Sequence, residues 1–390
     1  MVALSELVDF KGGGTPSKAV EEYWGGDIPW ASVKDFKSSE INETVDHITV
    51  GGLRNSASNL IPAGNIIIPT RMALGKVAIN TVDVAINQDL RALIVKDVNV
   101  VNKRYLLRFM ESKASYLESE GKGATVKGIT LDVLKPLEIF LPPLSEQKRI
   151  AAILDKADNL RRKRQQAIQL ADQFLRSVFL DIYEKSSDAF KEYPFLDLAK
   201  KERNSFVNGP FGSNLLTREL QGSGVPVVYI RDIREGEYKR VSTAYITNEK
   251  FNELNVCSVM PDDVLTAKVG DPPGTSALYP NNEPPAIVTQ DVIRIRCDNQ
   301  IVMPSFLVAY LNSHHGSKVV DRIKVEATRS RIGLGDLKKE MIHLPPIHIQ
   351  KKFDKLMHSF SQNIEKQRRS SFSSDELFKS LSQKAFAGKL

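Results

Sequence analysis

The feature that most constrains this fold is a segment that occurs twice. LPPLSEQKRI starts at residue 141 and LPPIHIQKKF at residue 344, and each opens a long stretch of polar residues with regularly spaced apolar ones. The residues ahead of the two segments align in order, with an offset that drifts from 197 between Pro29 and Pro226 to 203 between Leu141 and Leu344. One copy is too long for a solenoid repeat. The chain is therefore predicted to contain two tandem copies, each a globular domain followed by a helix.

The aligned positions are spread along both copies. They pair Ile28-Pro29-Trp30 with Val225-Pro226-Val227, Val33-Lys34-Asp35-Phe36 with Ile230-Arg231-Asp232-Ile233, Pro62-Ala63-Gly64-Asn65 with Pro261-Asp262-Asp263-Val264, Gln88-Asp89 with Gln290-Asp291, and Ala124-Thr125 and Ile129 with Ala327-Thr328 and Ile332. Because matches in an unchanged order are hard to obtain by chance, the two domains should share one fold.

Within each copy, the first part alternates short apolar runs with Gly, Pro and Asn. Residues 61–70, 76–80 and 91–98 have the length and composition of strands, and 101–121 has the apolar spacing of a helix that stops at Gly121. The second copy repeats this order. The predicted fold class is α+β, with two tandem-repeat globular domains that each carry a half-exposed sheet.

The second part of each copy has the spacing of a coiled-coil helix. Neither glycine nor proline occurs from Ser145 to Tyr183, which allows a helix roughly 55 Å long. The predicted seam comprises Ile150, Ile153, Ala157, Leu160, Arg164, Ala167, Ala171, Phe174 and Val178 in the first copy, and Phe353, Leu356, Phe360, Ile364, Leu377, Leu381 and Ala385 in the second, interrupted at 370–374. Two such helices can bury their stripes on each other, so the domains are expected to be separated by a pair of long antiparallel helices. The alternative is two unrelated surface helices.

Bulk composition narrows the class of protein. The net charge of +7 favours an anionic partner such as nucleic acid. Cys257 and Cys297 are too few for a disulfide framework and are expected to be reduced, buried thiols of a cytoplasmic protein. No run of about 18 apolar residues is present, and the N-terminus does not have the pattern of a secretory signal.

Motifs of catalysis and metal binding are incomplete in this sequence. Asp271-Pro272-Pro273 is followed by Gly274 instead of the aromatic residue that amino-methyltransferases place there. The glycine-rich run at 12–18 lacks the Gly-Lys-Ser/Thr ending of a phosphate-binding loop. His314 and His315 are adjacent and should point in different directions on a helix. The sequence therefore predicts no catalytic residue, no metal ligand and no bound cofactor, and favours a binding protein.

Three segments carry a resemblance to a known family. GGGTPSKAVEEYWGGDIPW (12–30) resembles the opening of the first target-recognition domain in specificity subunits of type I restriction–modification enzymes, and NGPFGSNL (208–215) resembles the opening of the second. LPPLSEQKRIAAILDKAD (141–158) is similar to the helical region of that family. The second helical region, LPPIHIQKKFDKLM, is a looser copy that retains Gln350. The resemblance spans essentially the whole chain in the family's order.

The resemblance implies a domain plan and a function. It implies target-recognition domains at 1–144 and 185–343, a central helical spacer at 145–184 and a C-terminal helical spacer at 344–390. Each domain would read one half of a bipartite, asymmetric site in double-stranded DNA. The helices would set the gap between the half-sites and dock two modification subunits, which use S-adenosylmethionine to methylate adenine. Two restriction subunits that use ATP and Mg²⁺ can join such a complex, and the specificity subunit itself is not a catalyst.

Candidate contact residues follow from polar and basic residues on loops, because polar groups read base edges and cations bind phosphates. In the first domain they are Thr15, Ser17, Lys18, Lys34, Arg71, Lys76, Lys122 and Lys127; in the second, Ser213, Asn214, Arg231, Arg234, Lys268, Arg329 and Arg331. The candidate helix-pairing and partner-binding residues are Ile150, Ile153, Ala157, Leu160, Phe174, Val178, Phe353, Leu356, Phe360 and Ile364.

Alternatives remain open at several of these points. The basic run Arg161–Arg164 lies either near the DNA backbone or on a solvated helix face, and Trp24 and Trp30 are either core residues or stacking platforms. Two other functions also fit parts of the sequence: a coiled-coil scaffold without DNA specificity, and a stand-alone DNA methyltransferase or nuclease.

Overall fold

The structure, a computed structural model, divides into two compact units. It describes residues 1–123, 125–185, 189–210, 212 and 214–390, with the side chains of 365 and 368–375 excepted. The first unit comprises Met1–Gln166 and Arg368–Leu390, and the second comprises Ala167–Gln367. Each unit therefore includes one part of each long helix.

The first unit is built on two sheets. Its strands are β1 (Val2–Ala3), β2 (Val8–Gly12), β3 (Trp24–Ala31), β4 (Glu40–Ile41), β5 (Asp46–Ile48), β6 (Asn59–Ile61), β7 (Ile66–Pro69), β8 (Ala78–Asn80), β9 (Val84–Ile86), β10 (Leu90–Val95) and β11 (Glu138–Ile139). One sheet has the order β2-β10-β7-β8-β4, the other β5-β3-β9-β6, and β1 pairs with β11. The helices are α1 (Leu4–Leu7), α2 (Val50–Arg54), α3 (Lys103–Ser112), α4 (Ala114–Ser119), α5 (Leu131–Leu134) and the first part of α6 (Leu144–Lys185).

The second unit repeats this plan. Its strands are β12 (Lys191–Pro194), β13 (Phe206–Asn208), β14 (Val225–Val228), β15 (Ile233–Arg234), β16 (Glu237–Tyr238), β17 (Tyr245–Ile246), β18 (Ser258–Val259), β19 (Val264–Ala267), β20 (Ser276–Leu278), β21 (Ala286–Val288), β22 (Val292–Ile295), β23 (Lys324–Val325), β24 (Arg331–Ile332) and β25 (Met341–Leu344). The helices that follow α6 are α7 (Asn248–Glu253), α8 (Pro304–Leu311), α9 (His314–Ile323), α10 (Leu334–Lys339) and α11 (Ile347–Phe386). The main sheets have the orders β13-β22-β19-β20 and β17-β14-β21-β18.

The topology of the two units confirms the predicted duplication. The order β13-β22-β19-β20 matches β2-β10-β7-β8 of the first unit, where β4 adds a fifth strand, and β17-β14-β21-β18 matches β5-β3-β9-β6. The parallel pairing of β3 with β9 recurs as that of β14 with β21. The structure corrects one alignment by a single residue, because Gly64 corresponds to Asp262 and not to Asp263. Both lie just ahead of an equivalent strand with a left-handed backbone, at φ 78° and 66°.

A buried glutamine just after the first LPP segment ties the start of the long helix to the domain that precedes it. Gln147 in α6 accepts a hydrogen bond from the backbone N–H of Asn102 at 2.9 Å and donates to the carbonyls of Val100 and Pro142 at 2.8 and 2.9 Å. Its side chain is fully buried. These bonds join the Pro-Pro turn, the start of α6 and the start of α3, so the glutamine fixes the direction in which the long helix leaves the domain.

The same arrangement occurs in the second unit. Gln350 accepts from the backbone N–H of Met303 at 3.0 Å and donates to the carbonyls of Ile301 and Pro345 at 3.1 and 2.8 Å. It is also buried. The glutamine that the looser second copy retains is therefore the residue with an equivalent structural role in both units.

We expect Gln147→Glu to destabilise the first unit in a pH-dependent way. The carboxylate cannot donate to the Val100 and Pro142 carbonyls, which would cost about 3 kcal/mol at pH 7. Burial beside two carbonyls raises the folded-state pKa of the new carboxyl above its unfolded value of about 4.3, so the loss should be small below pH 4 and grow as pH rises. Chemical denaturation across pH measures this. Gln165→Glu, exposed on the same helix, is the matched control, and an equal loss in both variants would contradict the prediction.

Long-helix segments pack against each other in antiparallel fashion within each unit. In the first unit, Arg149 of α6 donates to a backbone oxygen of Leu390, just beyond the end of α11, at 3.2 Å, and the Arg161 guanidinium lies 5.1 Å from the ring of Phe378 in α11. In the second unit, the rings of Phe174 and Phe360 are 5.2 Å apart, and Phe179 and Phe353 are 5.8 Å apart. Residue numbers rise on one helix as they fall on the other, as the sequence predicted.

Of the nine predicted seam positions of α6, six are buried or half-buried and three are exposed. Ala157, Arg164, Ala171 and Val178 lie on the half-buried stripe, and Ile150 is 2% exposed. Leu160 is wrong as a seam position because it is 50% exposed, whereas Phe174, although 49% exposed, contacts α11 through its ring, which lies 5.2 Å from that of Phe360. The neighbours Leu154, Arg161, Ile168 and Leu175 occupy the more buried positions that were assigned to Ile153, Leu160, Ala167 and Phe174.

The cause is an ambiguity in the heptad pattern. Steps of three and four residues alternate along a seam, and starting with three or with four gives two stripes one residue, or about 100°, apart. Leu160 and Phe174 belong to the stripe that begins with a step of three residues, and these two large apolar residues made that stripe the one predicted from the sequence. In α11, Phe353 and Ile364 are buried and Phe360 is half-buried as predicted, whereas Leu356 and Leu377 are 41% and 57% exposed.

Cys257 and Cys297 are buried free thiols, as expected, and burial raises the pKa of Cys257. Among the described residues, no helix combines the length and the apolar character needed to cross a bilayer.

Candidate functional site

The glycine-rich loop of the first unit lies directly against the end of β9. A Cβ on Gly13 would be 2.0 Å from the carbonyl oxygen of Ile86, so only glycine fits there. The backbone N–H of Gly14 donates to the same carbonyl at 3.0 Å. This close approach brings the loop that carries Thr15 and Lys18 beside the residues that follow β9.

Two tryptophan side chains form hydrogen bonds to the backbone of this loop. The indole N–H of Trp30 donates to the carbonyl of Gly14 at 3.1 Å, and that of Trp24 donates to the carbonyl of Ser17 at 3.2 Å. Their rings meet edge to face with centroids 5.2 Å apart. Trp30 is buried and Trp24 half-buried, and both indoles support the loop.

Loop and strand ends together form a cleft of about 520 Å³, called the first cleft here. The Thr15 hydroxyl donates to the Gln88 side-chain carbonyl across it. Its lining contains neither His nor Cys, and consists of Thr15, Lys18, Trp24, Trp30, Ser32, Val33, Lys34, Asp46, Met72, Asn87, Gln88 and Asp89. The cleft combines amides, hydroxyls and two ammonium groups with the carboxylates of Asp46 and Asp89, so it offers donors and acceptors to a partner with hydrogen-bonding edges.

A buried carboxylate positions the turn that carries Lys34. Asp35 is 6% exposed and accepts hydrogen bonds from the backbone N–H groups of Ser32 at 2.7 Å and Val45 at 2.8 Å. With the turn fixed, the side chain of Lys34 remains 72% exposed, 4.0 Å from Asp46. An exposed pair at this distance contributes little to stability, so the ammonium remains free to bind another anion.

Basic residues also line a second edge beside Met72. The backbone N–H of Met72 donates to the Lys127 carbonyl at 3.0 Å, and Lys122 and Gly128 exchange two 2.9 Å hydrogen bonds. Arg71 is 57% exposed, with its guanidinium 3.6 Å from the buried carboxylate of Asp89. The structure thus brings the predicted residues Arg71, Lys122 and Lys127 together.

The second unit repeats the loop and the buried carboxylate. A Cβ on Gly209 would lie 2.1 Å from the carbonyl oxygen of Val288. Buried Asp232 accepts from the backbone N–H groups of Tyr229 at 2.8 Å and Val241 at 2.9 Å. The guanidinium of Arg231, which corresponds to Lys34, lies 4.5 Å from the Tyr229 ring.

The basic edge also recurs, with different side chains. The N–H of Ile332 donates to the Lys268 carbonyl at 3.0 Å, and the N–H of Gly270 donates to the Ser330 carbonyl at 3.1 Å. This pairing places Lys268 next to exposed Arg331. It is the counterpart of the pairing between residues 70–72 and 127–129.

The remaining predicted residues have other surroundings. Lys76 donates to the Phe36 carbonyl at 3.0 Å and lies outside the first-cleft lining, as does Ser17. Arg234 donates to the Arg231 carbonyl at 2.9 Å, and Asn214 and Arg329 are exposed. Ser213 lies outside the described residues.

Met72 and Gln88 were missed by the sequence predictions. Met72 has a left-handed backbone, φ 66°, and is 61% exposed at the cleft. No sequence pattern predicts this conformation or this exposure. Gln88 had a visible signal, because Gln-Asp follows a buried strand in both copies, but the pair was used only to align them.

Further surface features lie on the long helices. In the first unit, Arg161 and Arg162 bind buried Asp158 at 2.7 and 2.6 Å, so these two members of the basic run have a partner within the unit. Large apolar side chains remain exposed: Leu160 in the first unit, and Leu170, Phe174 and Leu356 in the second.

Comparisons with known proteins agree with this architecture. A sequence profile described as the Type I restriction modification DNA specificity domain matches residues 1–170 and 215–371. The crystal structure of a type I restriction–modification S subunit from M. genitalium superposes with a TM-score of 0.61 at 15% identity, covering 99% of this chain and 95% of that one. At this identity the likeness concerns the fold.

Curated relatives match in sequence over part of their length. The MjaIX specificity subunit of Methanocaldococcus jannaschii is 28% identical over 249 residues, 60% of this chain and 57% of that protein. The EcoR124I/EcoR124II specificity subunit of Escherichia coli is 37% identical over 164 residues, 40% of each. The chain thus aligns with less than two thirds of either relative.

Proposed function

Because the chain belongs to the family defined by the type I restriction modification DNA specificity domain, we propose that it is the DNA specificity subunit of such an enzyme. Each unit reads one half of a bipartite, asymmetric site in double-stranded DNA. The chain selects the sequence, and catalysis belongs to its partners.

One observation carries this proposal: the two units present different side chains on the same scaffold. The buried carboxylates Asp35 and Asp232 fix equivalent turns. The residue before each is Lys34 in one unit and Arg231 in the other. Two readers with one fold and different contact residues are suited to two different half-sites.

The first cleft has groups suited to reading bases. Gln88 accepts from Thr15 through its carbonyl, which leaves its amide N–H groups as donors toward a base edge. Glutamine pairs with adenine, and lysine with guanine or phosphate. Exposed Met72 adds an apolar contact of the kind that suits a thymine methyl group. Lys18 and Lys34 would bind phosphates on either side.

Long helices serve as the spacer and as the docking surface for partners. Exposed Leu160, Leu170, Phe174 and Leu356 are apolar positions that a partner would cover. We propose two modification subunits there, which bind S-adenosylmethionine and flip the target adenine from the duplex. Two restriction subunits that use ATP and Mg²⁺ complete the enzyme, and the complex acts in the cytoplasm.

Co-expression with its modification subunit, followed by mapping of methylated adenines, tests this function. We expect methylation at two short words separated by a fixed gap. The chain alone, incubated with labelled S-adenosylmethionine and DNA, should transfer no methyl group. Methylation by the chain alone would support a stand-alone methyltransferase instead, and a complex without sequence preference would support a scaffold.

We expect the triple variant Lys18→Ala, Lys34→Ala, Lys127→Ala to flatten the salt dependence of DNA binding by the complex. Each lost phosphate contact should reduce the slope of log K against log salt by about 0.9. Fluorescence anisotropy at several salt concentrations measures the slope. The control removes three exposed lysines, Lys11, Lys96 and Lys135, which lie outside both the first-cleft lining and the edge formed by Arg71, Lys122 and Lys127. Equal slopes for both triple variants would contradict this assignment.

A further inference from the structure

Two histidines and a glutamate converge at one edge of the second unit. His314 and His315 are the first two residues of α9, and Glu184 is the penultimate residue of α6. One ligand atom from each side chain lies within 4.8 Å of the other two. The imidazole rings are 3.8 Å apart. The sequence argument that adjacent histidines diverge on a helix is therefore wrong for this pair.

Neighbouring aromatic rings explain why the pair converges. The ring of His315 packs against Tyr183 at 4.5 Å and Tyr310 at 6.4 Å. These contacts fix His315 between α6 and α8. His314, which is exposed, lies over the ring of His315 on the solvent side, so both imidazoles face the end of α6.

The Nε2 atom of His315 is buried and has no hydrogen-bond partner among the described residues. A neutral imidazole nitrogen is a common metal ligand. A buried polar atom without a partner is costly, and coordination would remove that cost.

We propose that Glu184, His314 and His315 form a binding site for a divalent late transition metal ion such as Zn²⁺ or Ni²⁺. Two imidazoles and one carboxylate suit these ions and not Mg²⁺ or Ca²⁺, which prefer oxygen ligands. Three protein ligands leave a position for water. Because Glu184 and His314 are exposed, the ion can enter from solvent.

The location gives the site a structural consequence. The ligands connect the last turn of α6 with the first turn of α9, two elements that already meet through Tyr183 and His315. An ion bound there would fasten the end of the long helix to the body of the second unit. It is independent of the proposed DNA-reading residues.

Zinc titration of the full chain by isothermal calorimetry tests the site. We expect one saturable site in the wild type, and binding at least about tenfold weaker in Glu184→Gln and in His314→Gln. Neither side chain is buried, so both variants should fold, which their metal-free melting temperatures check. Zinc should raise the melting temperature of the wild type and of neither variant.

His343→Gln serves as the control, because this histidine is 58% exposed on β25 and faces Glu192 at 3.5 Å. Its zinc affinity should equal that of the wild type. Buried Cys257 and Cys297 should not compete in the folded chain. Wild-type affinity in either ligand variant, or the absence of a saturable site in the wild type, would overturn the proposal.

Discussion

We expect Gly13→Ala to abolish recognition of one half-site. A methyl group at residue 13 would lie 2.0 Å from the Ile86 carbonyl oxygen and 2.5 Å from that of Asn87. Both obstacles are backbone atoms at the end of a buried strand, so the loop must move. The bonds from Thr15 to Gln88 and from Trp30 to Gly14 would then break, and the first cleft would lose its shape.

DNA affinity of the assembled complex should fall about a thousandfold, to the level of non-specific binding. Gly12→Ala is the matched control, because the three atoms nearest to a Cβ there belong to the flexible Arg91 side chain, at 3.4 Å or more. Anisotropy with specific and scrambled duplexes measures the loss. Retention of the specific affinity by a folded Gly13→Ala variant would contradict the role of the close approach.

The equivalent substitution should act on the other half-site. Gly209→Ala meets the Val288 carbonyl oxygen at 2.1 Å, whereas a Cβ on Gly222 meets nothing within 4 Å. Duplexes altered in one half-site at a time would show which word each unit reads. Variants that respond to the same word would contradict the two-reader arrangement.

The sequence was sufficient for the duplicated α+β plan because the second copy repeats the signals of the first. It did not predict the strand orders, and each unit has two main sheets where the sequence predicted one half-exposed sheet. Short strands in an unchanged order fixed the α+β plan, and the LPP segments marked where each long helix begins. The one-residue error at Gly64 and Asp262 arose because prolines were aligned, whereas the left-handed backbone sets the true correspondence. Gly64 and Asp262 share a backbone conformation but not a residue type.

The candidate site was predicted only in part because tertiary contacts decide which loops meet. Lys34 and Arg71 are near the cleft since their turns are tied to Asp35 and to residues 127–129. Lys76 has the same composition signal, yet its ammonium is bound to the Phe36 carbonyl. A basic residue on a loop does not reveal whether its charge already has a partner.

The largest stability loss in the first unit should follow Arg108→Ala. Arg108 in α3 is 2% exposed and binds Glu111 and Asp155 at 2.7 Å and Asp158 at 3.0 Å. Asp155 and Asp158 belong to α6, so this guanidinium joins the long helix to the domain. Removing it leaves several carboxylates close together with little water, at a cost of about 3–5 kcal/mol.

The pH dependence of this loss has a defined sign. Burial alone would raise the pKa of Asp158, but Arg108, Arg162 and Arg161 outweigh it and lower that pKa. In the wild type, Asp158 therefore stabilises the fold above its unfolded pKa of about 3.9, and this contribution disappears as pH falls through the lower folded value. Burial already raises the pKa of Glu111 even beside Arg108. Without Arg108 both carboxyl pKa values rise, so the difference from wild type should be larger at pH 7 than at pH 4.

Urea denaturation at both pH values measures the effect, with Arg104→Ala as the control on the same helix. Arg104 binds Glu40 at 2.7 Å, but its side chain is 43% exposed, and such pairs contribute about 1 kcal/mol or less. Glu111→Gln should recover part of the stability of Arg108→Ala, because Glu111 pairs with Arg108 and burial raises the pKa of its carboxyl even in the wild type. A loss equal to that of Arg104→Ala, or one that is greater at pH 4 than at pH 7, would mean that this buried charge cluster does not hold the long helix to its domain.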